Sequence, residues 1–201
     1  MIPFASLPET VRVAGEAVPI RTDFRVWVQF EQGLLHGADD WWLLRLVYPG
    51  SFPPDAQGLV DAAIWFYRCG DQNEQEEADS DPEPVRQGRF YDFAQDADTI
   101  FSSFWQAYGV DLSAGPLHWW NFSRLLRGLP EDSPFMRVIH YRTADLSELP
   151  KSQKKHYAKM RKLYALRDPD GGRHETLEER NNRMRSYVDR RFREMQRHEK
   201  N

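Results

Sequence analysis

Residues 96–109 read Asp-Ala-Asp-Thr-Ile-Phe-Ser-Ser-Phe-Trp-Gln-Ala-Tyr-Gly, and this stretch decides the fold class. Its apolar side chains recur at i, i+3, i+4, i+7, i+8 and i+11, which is the spacing of one face of an α-helix. The residues at these positions are Ala97, Ile100, Phe101, Phe104, Trp105 and Tyr108. Because Gly109 follows as a natural helix end, the pattern predicts an amphipathic helix that ends at this glycine.

Helical signals continue on both sides of this stretch. Further helices are predicted where a capping or helix-opening residue precedes an apolar run, at Asp23, Asp39, Asp55 and Ser133. Upstream, residues 10–21 alternate as two short strands around Gly15-Glu16, which predicts a hairpin. The expected fold is therefore mainly α, a compact helical bundle with a short N-terminal β-hairpin and an extended C-terminal helix.

An aromatic run, Trp119-Trp120-Asn121-Phe122, lies in the next predicted helix. It could line a binding groove, since aromatic side chains anchor many interfaces. Burial in the core is the favoured interpretation, because aromatic side chains also dominate cores. The connection over residues 111–115 is short, so the Phe101–Trp105–Tyr108 stripe is expected to pack against the Trp119–Phe122–Leu126 face.

The charges are distributed unevenly along the chain. The first 150 residues hold 11 Lys/Arg and 23 Asp/Glu, whereas 16 Lys/Arg and 8 Asp/Glu follow from Lys151 onward. Residues 71–87 are acidic and poor in apolar side chains, so they are expected to form a mobile loop. The predicted organisation is a helical body over residues 1–166 and a hinge plus basic C-terminal helix over residues 167–201.

No established catalytic, cofactor or metal motif occurs in the sequence. Cys69 is the single cysteine, and no two of the six histidines lie at i, i+3 or i, i+4. The glycine patterns of phosphate-binding loops and the Gly-x-Ser-x-Gly motif of hydrolases are also missing. We therefore expect a protein that is not an enzyme and that uses no metal or cofactor.

Three carboxylates, Asp92, Asp96 and Asp98, cluster at the start of the first helix described above. Oxygen ligands at such spacing could bind a hard cation. The simpler interpretation is that these side chains cap the helix and complement its dipole.

The last predicted helix carries a thin apolar stripe among many arginines. Its residues are Leu177, Met184, Tyr187, Val188, Phe192 and Met195, which we predict to bind a protein partner. Folding back onto the body and pairing with a second copy remain open alternatives. Acidic residues interleave with the arginines, so no nucleic-acid partner is expected. No membrane partner is expected either, because no apolar stretch of about 18 residues occurs.

Several long stretches of the chain match a known pattern. They include Thr22-Asp23-Phe24-Arg25, Trp65-Phe66-Tyr67-Arg68-Cys69-Gly70, the run from Ile100 to Leu112, Leu117-His118-Trp119-Trp120-Asn121-Phe122, and Tyr164-Ala165-Leu166. Over about residues 7–166 the chain resembles the bacteriophage gene product fifteen family, found in tailed phages and in prophages of Gram-positive bacteria.

The resemblance implies a role in the assembly of long phage tails. Genes of this family lie between the major tail protein and the tape measure, as those of tail assembly chaperones do. It thus implies a non-catalytic chaperone in the cytoplasm of the bacterial host, binding the tape measure protein and tail-tube subunits. The alternatives are a structural tail or connector protein of the virion, and an enzyme with an unrecognised site.

Overall fold

Seven helices and one two-stranded antiparallel sheet make up the part of the chain that the computed structural model describes, residues 6–51, 53–70, 89–147 and 149–167. The elements are β1 (Thr10–Val13), β2 (Glu16–Pro19), α1 (Phe24–Leu35), α2 (Asp40–Val47), α3 (Ala56–Tyr67), α4 (Ala97–Tyr108), α5 (Trp119–Arg127), α6 (Pro134–Thr143) and α7 (Lys151–Leu163). The predicted mainly α fold with an N-terminal hairpin is confirmed. The predicted loop over residues 71–87 and the predicted C-terminal helix lie outside the described residues.

The hairpin forms where the sequence supplies a tight turn. Ala14 and Gly15 both adopt positive φ, at 49° and 84°, as a two-residue turn between twisted strands requires. In the resulting register Val11 pairs with Val18, and both side chains are buried. Because β1 contacts α3, the hairpin gains the packing partner that an isolated hairpin needs.

Side-chain caps set the starts of several helices. Asp23 accepts a hydrogen bond from the backbone N–H of Arg25 at 2.9 Å, and Asp55 accepts one from Gly58 at 2.9 Å. Asp39 caps α2 as predicted, since its side chain accepts hydrogen bonds from the backbone N–H groups of Trp41 and Trp42. These bonds satisfy backbone donors that have no partner within the helix.

Contacts group the described residues into two compact units. The first contains the described residues up to 70 together with 116–122. The second contains residues 89–115 and the described residues from 123 to 167. The boundary falls within α5, between Phe122 and Ser123.

The first unit is built around aromatic side chains. Trp27 stacks on Phe66 with ring centroids 4.9 Å apart, and Phe24 stacks on Phe122 at 4.5 Å. Trp119 is also buried, and its indole Nε1 donates a hydrogen bond of 2.8 Å to the carbonyl oxygen of Tyr67. The interpretation of residues 119–122 as core is therefore confirmed for their three aromatic side chains.

In the second unit α4 packs on α6, and α6 packs on α7. The side chains that α4 buries are Ile100, Ser103 and Phe104. The prediction that Phe101 and Trp105 pack into a core is wrong, because they are 38% and 56% exposed. Each follows a buried residue by one position, which turns it about 100° around the helix. Trp119 and Phe122, their expected neighbours, contact aromatic rings of α1 and α3 instead.

Candidate functional site

The sequence-predicted partner-binding residues start at Leu177, and the structure describes nothing beyond residue 167. They stay a prediction. A different apolar surface is present in the second unit, on α4, where the sequence indicated a core stripe. The exposed side chains Phe101 and Trp105 form it, and we call them the α4 aromatic pair.

The α4 aromatic pair presents two nearly parallel rings to solvent. The ring planes of Phe101 and Trp105 differ by 9°, and their centroids lie 6.5 Å apart. An i, i+4 spacing places them one above the other on the helix surface. The two exposed rings therefore form an apolar ridge about one helical turn long.

Hydrogen bonds fix α4 to its neighbours, through Ser103 on the side opposite the pair and through Tyr108 on the same side as Phe101. The buried Ser103 hydroxyl oxygen accepts a bond of 2.9 Å from the backbone N–H of Phe135, at the start of α6. The same hydroxyl donates to the carbonyl oxygen of Thr99 at 2.6 Å. One turn from the pair, the Tyr108 hydroxyl donates to the carbonyl of Leu125 at 2.9 Å. These contacts define the orientation in which α4 exposes Phe101 and Trp105.

A buried ion pair fixes the beginning of α4. Both oxygens of Asp96 accept hydrogen bonds from the guanidinium of Arg142, at 2.6 and 2.8 Å. The guanidinium also donates to the carbonyl oxygens of Tyr164 and Phe90, at 2.6 and 3.0 Å. Four bonds from one side chain thus tie α6 to the segments before α4 and after α7.

The carboxylate cluster has a structural role that differs from the expected one. No side chain caps the N-terminus of α4, so the prediction that Asp96 caps it is wrong. Its oxygens instead bind Arg142 and the backbone N–H of Asp92. Asp92 accepts from the N–H groups of Ala94 and Gln95, which stabilises the turn before the helix. Of the three carboxylates, only Asp98 lies where the sequence predicted, exposed in the first turn of α4.

The residues next to this cluster hold the chain that leaves α7. Arg89 donates to the carbonyl oxygen of Arg167 at 3.0 Å. Gln95 donates to the carbonyl of Ala165 and accepts from the N–H of Arg167, both at 3.0 Å. The sequence did not predict these contacts, because the residues that they join lie 70 or more positions apart.

A shallow depression of about 480 Å³ lies in the first unit. It is lined by Arg21, Arg45, Tyr48, Pro49, Gly50 and Ser51. Burial raises the pKa of Tyr48 above its ordinary value, and its hydroxyl donates to the carbonyl of Leu59 at 2.7 Å. The Tyr48 proton is therefore held in a structural hydrogen bond, which does not suit proton transfer near neutral pH.

The parts of the chain that the structure describes offer neither a metal-binding cluster nor a membrane-spanning helix. Within them, no group of three His, Cys, Asp or Glu side chains is placed to hold a metal ion. None of the seven helices is long and apolar enough to cross a membrane. Cys69, the single cysteine of the chain, is half-buried just after α3.

Comparison with known proteins identifies a matching family. The family described as Bacteriophage Gp15 protein matches residues 5–166. No curated protein and no solved structure matches the chain. The matched range includes every helix and strand described above, together with the α4 aromatic pair, and it ends before Leu177.

Proposed function

The chain belongs to the Bacteriophage Gp15 protein family, and on that premise we propose that it is a tail assembly chaperone of a phage or prophage. It binds the tape measure protein, and with it the tail-tube subunits, in the cytoplasm of the host, and it catalyses no reaction. The observation that supports binding is the α4 aromatic pair. Exposed aromatic side chains on an ordered helix are a common feature of protein-binding surfaces.

The geometry of the pair suits a helical partner. Phe101 and Trp105 form a ridge along α4, and a ridge of side chains packs into the groove on another helix. The partner would supply apolar side chains at i, i+3 or i+4, which cover both rings and exclude water. An aggregation-prone, helical tape measure protein presents such faces repeatedly along its length.

The predicted C-terminal helix supplies a second contact in this proposal. Its apolar stripe begins at Leu177, beyond the matched family range. In this proposal α4 provides one surface, within the residues that the family model matches, and the last helix provides another beyond them. Versions of the protein with and without residues 167–201 separate the two contributions.

Co-expression with the tape measure protein encoded beside it tests the proposal. The variant carries Phe101→Ser and Trp105→Ser, and the matched control carries Trp42→Ser, which removes a 48% exposed tryptophan from the first unit. We expect the wild type and the control to co-purify with the tape measure protein and to raise its soluble fraction. The double variant should do neither, although its thermal unfolding is unchanged.

Two outcomes contradict the proposal. If the wild-type chain neither binds the tape measure protein nor keeps it soluble, the chaperone function is wrong. If mass spectrometry of purified virions finds the chain at the copy number of tail proteins, it is a structural tail or connector protein, since a chaperone is absent from the finished particle.

A further inference from the structure

Helix α7 carries a strong positive charge and contains no acidic residue. Among its 13 residues six are cationic and none is acidic. The cationic residues are Lys151, Lys154, Lys155, Lys159, Arg161 and Lys162. All except Lys154 are exposed, and none of the six forms an ion pair with another described residue. Six of the 16 Lys and Arg residues found from Lys151 onward therefore lie on this one helix.

The six cations share one side of α7. At about 100° per residue they fall within an arc of roughly 160°, with only the small Ala158 among them. The stripe from Lys151 to Lys162 is about 17 Å long. The large side chains Tyr157, Met160 and Leu163 lie outside this arc, and Leu163 is exposed next to its Lys159 edge. We call the six residues the α7 cationic face.

The other side of α7 is held in place by aromatic contacts with α6. Tyr157 packs edge-on against Tyr141, with ring centroids 5.4 Å apart, and its hydroxyl lies 3.2 Å from Nε2 of His140. Tyr164, just after the helix, stacks on Tyr141 at 6.0 Å. Its carbonyl oxygen accepts the bond from Arg142 described above. The cationic face is therefore presented by a fixed helix.

We propose that the α7 cationic face binds the phosphate backbone of nucleic acid, a property beyond the proposed chaperone function. This departs from the expectation drawn from the mixed charges of the last predicted helix, because α7 itself contains no acidic residue. Its charge has a single sign over about 17 Å, so it complements a regular line of phosphates. Five of its six cations are lysines, which bind phosphate as point charges but are depleted in protein interfaces. An acidic protein is a poorer occupant, because the arc offers no large apolar side chain to anchor it.

Binding of this kind is independent of base sequence. Lysine ammonium groups contact phosphates, and phosphate contacts carry no direct sequence information. We therefore expect duplexes of different sequence to bind equally. We also expect affinity to fall steeply with salt, because each neutralised phosphate of duplex DNA contributes a slope of about −0.9 to log K against log salt.

The test is fluorescence anisotropy with the full-length chain, a labelled 20-base-pair DNA duplex and a labelled RNA strand. The variant carries Lys155→Gln, Lys159→Gln and Lys162→Gln. The matched control removes three exposed cations elsewhere, through Arg12→Gln, Arg124→Gln and Arg127→Gln. We expect the α7 variant to bind at least about tenfold more weakly at low salt, with a slope reduced by about 2 to 3. The control should keep most of the affinity.

Three results would overturn the inference. One is that neither DNA nor RNA binds at about 50 mM salt, where phosphate contacts are strong. Another is that the α7 variant and the control lose affinity equally, which would assign the effect to net charge. The third is that polyglutamate or phosphatidylserine vesicles bind the wild type as tightly as DNA, which would assign α7 to acidic proteins or to membranes. Unchanged circular dichroism shows that the variants are folded.

Discussion

Arg142 and Asp96 form a two-bond ion pair across 46 residues of sequence, with only 7% and 4% of their side chains exposed. The pair joins α6 to the residue before α4. Burial removes water from both charges, so neither can be left alone without a large loss of free energy. The pair therefore fixes the relative positions of two helices, one of which exposes the α4 aromatic pair.

We predict that Asp96→Ala lowers the free energy of unfolding by about 3–5 kcal/mol, because it leaves the Arg142 guanidinium buried and unpaired. Urea denaturation measures the change. The matched control is Asp98→Ala, which removes an exposed carboxylate from the first turn of the same helix. The free energy of unfolding of that variant should fall by no more than about 1 kcal/mol, because it loses only the interaction of the carboxylate with the helix dipole. Equal losses in the two variants would show that the ion pair has no special role.

We predict that the two tryptophans of the helices α1 and α4 respond very differently to substitution. Trp27 is fully buried, so Trp27→Ala should lower the free energy of unfolding by about 3–5 kcal/mol. Trp105 is mostly exposed, so Trp105→Ala should change the free energy of unfolding by less than about 1 kcal/mol. Urea denaturation compares them directly. A loss above about 2 kcal/mol at Trp105 would mean that it is part of a core, and the candidate binding surface would be wrong.

Much of the fold could be predicted because local signals agree with it. Asp23, Asp39, Asp55 and Ser133 each cap a helix near the predicted position. The Gly109 backbone adopts φ of 65° at the predicted end of α4. Such signals involve residues only a few positions apart, and their physical cause lies in the backbone groups that a helix end leaves unpaired.

The candidate binding surface could not be predicted, since it depends on which neighbour α4 acquires. Periodicity defines a broad apolar arc, and it does not decide which part of the arc is covered. The contact between Ser103 and the start of α6 decides this, and it leaves Phe101 and Trp105 outside. The bond from Arg142 to Asp96 could not be predicted either, because no sequence pattern indicates a contact between residues 46 positions apart.

We predict that stability falls at alkaline pH partly through Tyr48. Burial raises the pKa of this phenol in the folded state, whereas in the unfolded chain it ionises near its ordinary value of about 10. The protonated Tyr48 phenol thus contributes fully to stability below pH about 10. As the pH rises further, the free energy of unfolding falls by up to about 1.4 kcal/mol per pH unit through this group.

The matched variant for this prediction is Tyr48→Phe, which cannot ionise. At neutral pH it should be less stable than the wild type by about 1 kcal/mol, because the hydrogen bond to the Leu59 carbonyl is lost. Above pH about 10 the difference should shrink, since only the wild type loses stability through this group. Urea denaturation at several pH values measures it. If the difference in stability between the wild type and Tyr48→Phe stays constant at all pH values measured, Tyr48 does not cause the alkaline loss of stability.

The hydrogen bond from Trp119 to the Tyr67 carbonyl leads to the last prediction. Trp119→Phe keeps an aromatic ring among its neighbours, but it removes the indole donor and part of the ring volume. We expect a loss of about 2–4 kcal/mol in urea denaturation, because the buried Tyr67 carbonyl loses the indole donor and the core of the first unit loses ring volume. Trp42→Phe, the same change at an exposed position, should stay within about 0.5 kcal/mol of the wild type. If Trp119→Phe leaves the free energy of unfolding unchanged, the hydrogen bond contributes little and the core of the first unit tolerates the lost volume.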